Sequence, residues 1–282
     1  MTNSSAPHDP APRVSSVVAP DGTTLAYRTA GDPSARALVL VHGWAQSSRA
    51  WGEELLAELA RDFHVVAVDL RGHGLSSVAE DGYDDPARWA DDVQSVLDAA
   101  GVTEGAILLG WSYGGIVLCD YLAAKGESAV AGVVLVGATT SISRSRGGRV
   151  GEAMMAVGKG GFSDDPKTAI AALGSFGQAM FAAPAGAAQQ RMFGLSLATP
   201  PEVRQKMLTR RVDNDATLEG LGVPLLAIHG AADGVVLPEA GQANAEMAPQ
   251  GRYLEIPDCA HAPFAERPEE FLRAVREFAA QL

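Results

Sequence analysis

Six apolar runs recur along the chain without the in–out alternation of a half-solvated strand: ALVLVHG (37–43), HVVAVDLRGHG (64–74), AILLG (106–110), VAGVVLVG (130–137), PLLAIHG (224–230) and RYLEIP (252–257). Runs of this length and uniformity predict strands buried on both faces of a parallel sheet. Ahead of them, RVSSVVAP and TTLAYRTA flank the turn PDG and predict a hairpin-like opening, which brings the expected strands to eight. Between the runs the period changes to that of a helix. Trp51, Leu55, Leu59 and Phe63 repeat every fourth residue, while Trp89, Val93, Val96 and Leu97 make a stripe, as do Phe271, Val275, Phe278 and Leu282. Strand and helix in alternation predict an α/β fold, a mostly parallel twisted sheet with helices on both faces.

The rhythm stops once. From 138 to 222 no strong strand pattern occurs, and Gly and Ala are interspersed with Met154, Met155, Phe162, Phe176, Met180, Phe181, Met192, Phe193 and Met207. Two readings of this segment stand: a helical layer packed on itself, and a lid over the C-terminal edge of the sheet, where open α/β folds bind ligands. The expected organisation is a loose tail over 1–12, a first core part over 13–137, a helical cap over 138–222 and a second core part over 223–282.

Composition narrows the partners. The 282 residues carry a net charge of −12, which disfavours nucleic acid and anionic membranes, since both repel an acidic surface. No stretch is long and apolar enough to span a membrane. The opening MTNSSAPHDPAP has neither a basic nor an apolar run, so no signal peptide is expected and the cytoplasm is the default location. Cys119 and Cys259 form neither a disulfide framework nor a zinc pattern. Oligomeric state is not legible.

The chemistry sits in GWSYGG (110–115). It matches G-x-S-x-G after a predicted strand and before a predicted helix, the context in which a sharp turn projects a nucleophilic serine, here Ser112. A serine needs a base. Of the six histidines, His8 lies in the tail and His64 opens a strand. His42 and His229 each precede glycine at a strand end, as buried turn residues do, and His73 lies in the glycine loop RGHG. His261, in the loop PDCAHAPF after the last strand, is at the same sheet edge as Ser112 and is the expected base. A carboxylate must orient that base. Asp233, in HGAADGVV after the preceding strand, supplies it; Asp258 is the nearest competitor, and Asp69 is assigned to bonding the RGHG loop. Oxyanion donors are expected from the backbone N–H groups of Tyr113 and Trp44. The Trp44 indole either walls the pocket or belongs to the core. Met154, Phe162, Phe181, Val235 and Trp111 are further pocket candidates, although Trp111 fits packing under the serine equally well.

The motifs VHGW, DLRGHGLS, GWSYGG, HGAADGVV and CAHAPF, in this order, resemble the α/β-hydrolase superfamily from about residue 13 to the end. HGW and SSRAW further resemble its cofactor-free haloperoxidase and arylesterase branch. The resemblance implies an α/β-hydrolase fold with an inserted cap over 138–222. It also implies hydrolysis of carboxylic esters or lactones through an acyl-serine, with no metal or organic cofactor, and perhydrolase or haloperoxidase activity on the side. Departures matter as well. Serine rather than aspartate at position 112 argues against epoxide hydrolases and haloalkane dehalogenases, and the HGGPG turn of peptidase relatives is missing. The expected substrate is a small to medium, partly hydrophobic ester. A lactonase or carbon–carbon bond hydrolase would use the same triad, and a non-catalytic binding protein on this fold is the alternative from another class.

Overall fold

The computed structural model describes residues 12–143 and 148–282. Of the tail expected over 1–12, all but Pro12 lies outside the described residues, as does His8. Eight strands form one sheet: β1 (Arg13–Val18), β2 (Thr24–Ala30), β3 (Ala37–Val41), β4 (His64–Val68), β5 (Ala106–Trp111), β6 (Val130–Val136), β7 (Leu225–Gly230) and β8 (Gly251–Ile256). Their order is β1-β2-β4-β3-β5-β6-β7-β8. The opening hairpin is antiparallel and joins β4 antiparallel; every later pairing is parallel. β3 to β7 consist wholly or almost wholly of buried residues, as uniform apolar runs require.

One strand departs from expectation. β8 is an edge strand of the sheet, with Arg252, Leu254 and Glu255 exposed. The Trp51 to Phe63 stripe is also broken. Trp51 ends a 3₁₀ turn (Ser48–Trp51), and Gly52, at φ 78°, separates it from α1 (Glu53–Leu59), with Phe63 beyond the helix.

Helices α2 (Pro86–Ala99) and α3 (Gly114–Lys125) pack side by side on one face of the sheet. Asp85 starts α2 by accepting the N–H of Ala87, with Pro86 in the first turn, where a missing N–H costs nothing. Between β6 and β7 come α4 (Glu152–Val157), α5 (Pro166–Ala179), α6 (Gly186–Ala198), α7 (Pro201–Leu208) and α8 (Asp215–Glu219). After β7 follow α9 (Pro238–Met247), α10 (Pro263–Glu266) and α11 (Pro268–Ala279). On the opposite face α11 lies over β6 and is tied to the α1 region by Arg276 bonding Asp62 at 2.7 Å.

The order β4-β3-β5 is a topological switch, since the chain leaves β3 toward one side and returns on the other. Such a switch opens a crevice at the C-terminal strand ends. The loop after β3 (His42–Gln46) and the turn after β5 (Ser112, Tyr113) meet in it. Ser112 has φ 54°, a left-handed conformation that a β-substituted residue adopts at a cost. The turn is tight enough that a Cβ on Gly114 would stand 2.3 Å from the Val41 carbonyl oxygen, and one on Gly110 would meet the Gly114 carbonyl at 2.8 Å. Gly114→Ala must therefore push β3 and α3 apart. It is expected to cost about 1–3 kcal/mol, the range for overpacking. A lowered urea midpoint in the purified variant, with turnover reduced in parallel, checks this.

Candidate active site

Each of the three expected reactive side chains hangs from the C-terminal edge of the sheet. Ser112 follows β5, and its N–H is held by the Val136 carbonyl at 3.0 Å. Asp233 lies three residues past β7, and His261 lies in the loop between β8 and α10. His261 Nδ1 bonds Asp233 Oδ2 at 2.8 Å, with both side chains buried. The ring is fixed from three sides. The His261 N–H donates to the Met180 carbonyl at 3.1 Å, its carbonyl accepts Trp111 Nε1–H at 2.8 Å, and the Trp111 ring lies 5.6 Å from the imidazole. Glu266 pins the same loop by accepting the N–H groups of Ala260 (2.9 Å) and Ala182 (2.7 Å).

Asp233 is a saturated acceptor. Its Oδ1 takes the N–H groups of Val235 (2.8 Å) and Val236 (3.1 Å), and its Oδ2 faces His261 and also His229 Nε2 at 3.2 Å. Burial alone would push this carboxyl up; the charge and hydrogen bonds of His261 and His229 overcome it and hold the group at about 2. Asp258 is exposed and makes no bond to His261, so the competitor for this role is not in place.

Gly43 brings the turn after β3 against the serine: a Cβ there would lie 2.8 Å from Ser112 Cβ and 3.4 Å from Ser112 Oγ. Among the described residues, the backbone N–H groups of Trp44 and Tyr113 have no acceptor. Two buried histidines stiffen this turn. His42 Nε2 accepts the N–H of Leu70 (3.1 Å) while its Nδ1–H donates to the Gly43 carbonyl (2.8 Å). His73 donates Nδ1–H to the Arg71 carbonyl, and the two rings lie 5.2 Å apart. Asp69 anchors the neighbouring loop by accepting the N–H groups of Ser48 (2.6 Å) and Leu75 (2.9 Å).

Burial lowers His42 to about 4, and burial together with the nearby His42 lowers His73 to about 3. Folded values below the unfolded one mean that the unfolded chain takes up protons first. Their stability contribution is thus complete above pH 6.5 and is lost as pH falls toward 4 and 3. Asp92 and Asp120, which burial raises to about 6 despite their arginine partners, act in the opposite sense. A difference experiment separates the two. His73→Asn keeps a donor for Arg71 and removes a titrating ring, so between pH 7 and pH 5 it should lose about 2 kcal/mol less stability than the unmodified protein. Urea midpoints at the two pH values measure it.

A cavity of about 340 Å³ opens beside Ser112. Trp44, Met154 and Phe162 line it, together with Tyr113, Thr139, Ser141, Ile142, Met155, Leu208, Val150 and Val236. Three pocket candidates lie elsewhere. Trp111 is buried beneath the serine turn against Trp51 and Phe264. Phe181 packs in the core. Val235 packs in the core, while its neighbour Val236 lines the cavity.

The inserted helices are fastened to the core by buried polar bonds that composition does not announce. Trp44 Nε1–H donates to the Arg204 carbonyl (2.9 Å), and Gln46 Nε2–H donates to Ser196 Oγ (2.8 Å). Arg210 reaches Asp120 on α3 at 2.8 Å and the Tyr113 hydroxyl at 3.1 Å, with the Arg210 and Asp120 side chains out of solvent.

A left-handed serine between strand and helix, a buried imidazole–carboxylate pair on later strand ends and free N–H groups beside the serine define a hydrolase of the α/β class. The chain belongs to the alpha/beta hydrolase family, which residues 38–274 match. Its fold superimposes on the esterase RhEst1 from Rhodococcus sp. ECU1013 with a TM-score of 0.93 at 51% identity, covering 95% of this chain and 99% of that one. A bromoperoxidase from Bacillus anthracis is similar at a TM-score of 0.80 and 25% identity, over 94% and 99% of the two chains. In sequence, a pimeloyl-[acyl-carrier protein] methyl ester esterase from Edwardsiella ictaluri is 30% identical over 277 residues, 91% of this chain and 98% of that protein. The chain is a hydrolase, similar to esterases and haloperoxidases.

Proposed function

We propose that this enzyme is a serine carboxylesterase acting on small to medium, partly hydrophobic esters, with Ser112, Asp233 and His261 as its catalytic triad. The observation that carries the reading is the 2.8 Å bond from His261 Nδ1 to a buried, ionised Asp233, which leaves Nε2 to act as base at the edge that holds the strained Ser112. His261 Nε2 takes the Ser112 hydroxyl proton as Oγ bonds to the ester carbonyl carbon. The Trp44 and Tyr113 N–H groups hold the resulting oxyanion. Collapse breaks the bond to the alkoxide, which leaves with the proton from His261. Water, deprotonated by the same nitrogen, then attacks the acyl-serine and frees the acid. Hydrogen peroxide in place of that water would yield a peracid, a second outcome favoured by the likeness to a bromoperoxidase.

On this reading the segment over 138–222 is a cap whose Met154, Phe162 and Leu208 bound the acyl site. The acidic surface favours small-molecule substrates over nucleic acid or membrane. Among the described residues no helix is long and apolar enough to cross a membrane. The test is a p-nitrophenyl ester series with graded acyl chains, run beside fluorophosphonate labelling. Short to medium acyl groups should turn over fastest and Ser112 should carry the label; no turnover and no label sink the proposal. Phe162→Ala, which removes a ring packed edge-on against Trp44 at 6.3 Å, should improve kcat/KM for the longer esters by about tenfold relative to the shortest, in line with what added hydrophobic contact contributes.

A further inference from the structure

Asp233 has two histidine neighbours, and the acyl-transfer steps above use only one. His229, the fifth residue of β7, directs Nε2 at two acceptors at once: the Val236 carbonyl at 3.0 Å and Asp233 Oδ2 at 3.2 Å. Both are acceptors only, the carboxylate being ionised, so Nε2 carries a hydrogen shared between them. Val236 closes the circuit by donating its own N–H to Asp233 Oδ1 at 3.1 Å. His229, Val236 and Asp233 thus form a closed hydrogen-bonded ring that ties both oxygens of the carboxylate to β7. The rest of the imidazole is not arranged for ligand binding. Its Nδ1 has no partner among the described residues and packs so closely on α9 that a Cβ on Gly241 would stand 2.3 Å away.

We infer that His229 is a positioning residue for the triad carboxylate, holding Asp233 Oδ2 in line with His261 Nδ1 and keeping the loop 233–236 against β7. The inference rests on the triad reading above. A merely structural imidazole would be satisfied by the Val236 carbonyl alone. The shared bond to Oδ2 also competes with His261 for the charge of the carboxylate. Other titratable groups face the cluster from the surrounding elements: Tyr253 on β8, beside the exposed Glu255 and Glu239, and Cys259 in the His261 loop, whose thiol burial pushes up. None of these is within bonding distance of Asp233.

The test compares His229→Met, which keeps bulk and removes the donor, with His229→Gln, whose amide nitrogen can take the place of Nε2. His229→Met should lower kcat by about tenfold or more, as loss of a hydrogen bond to a charged group does, with KM within about twofold. It should also raise the acid limb of the kcat/KM profile by about half a pH unit, because Asp233 then commits more charge to the imidazolium. His229→Gln should restore most of kcat and return the limb. If His229→Met does not fold, His229→Asn, whose shorter amide reaches the Nδ1 position instead, serves in its place with the same expected losses. A folded Met or Asn variant with unchanged kcat and limb overturns the inference, and so do Met and Gln variants equally impaired. Asp233→Asn is run alongside. If it is inactive while His229→Met is unimpaired, only this inference falls; if it is fully active, the triad reading falls and this inference with it.

Discussion

Ser112→Ala is expected to lower kcat for p-nitrophenyl esters by about 10⁶ while leaving a folded protein, the loss seen when a triad nucleophile is removed. The structural side of that expectation comes from the backbone. Alanine at φ 54° bears the same left-handed penalty as serine, and the turn is imposed by the Val136 carbonyl and by the closeness of Gly114 to β3, not by the hydroxyl. The thermal midpoint should therefore scarcely move. Fluorophosphonate labelling followed by mass spectrometry gives a second readout, with the adduct on residue 112 in the unmodified enzyme and none in the variant. A variant that retains turnover would place the nucleophile elsewhere.

Asp233→Asn should cost about 10⁴ in kcat, the magnitude of a wrong-tautomer substitution at a triad carboxylate. The surrounding bonds decide which way the amide points. Oδ1 receives two backbone N–H groups, so the amide oxygen must stay there and the NH₂ must face the two histidines. His261 Nδ1 then becomes the acceptor, Nε2 carries the proton, and the imidazole can no longer take one from Ser112. The same NH₂ also confronts the Nε2–H of His229, so the variant loses stability as well as rate. Steady-state kinetics at pH 7 to 9, beside a denaturation curve, separates the two. A rate that recovers at high pH through hydroxide attack, without recovery of stability, fits this account; undiminished turnover at pH 7 refutes it.

Much of this arrangement was legible in the chain because it depends on local patterns. Uniform apolar runs mark strands buried on both faces, and the glycines around Ser112 mark where backbones touch. The order Ser112, Asp233, His261 follows from three runs ending at one edge. Pocket lining was less legible for a physical reason. Val235 and Val236 are adjacent and equally apolar, and Asp233 takes the N–H of both, so the side each one faces is set by the course of the loop rather than by residue type. Trp111 ends β5 just before the left-handed Ser112, so strand alternation does not fix its direction; its place beneath the turn comes from packing against Trp51 and Phe264. His229 was read as a buried turn residue; it is buried but lies in β7, and its second bond arises because the four-residue step to Asp233 crosses the reversal after the strand. The exposure of β8 was hidden because an edge position is a property of the whole sheet, not of RYLEIP.

The tie between Arg210 and the pair Asp120 and Tyr113 makes the roof of the cavity mechanically lopsided. Freeing the later side of the insertion would strand a guanidinium and a carboxylate in an apolar interior, a penalty of about 3–5 kcal/mol for a broken buried pair. Among the described residues, the earlier side, carrying α4, meets the core through the bridge between Val150 and Val236 and through apolar contacts of Met154 and Phe162. Among the described residues the two sides of the insertion are thus held by different forces, buried ion pairing at Arg210 and apolar packing at α4.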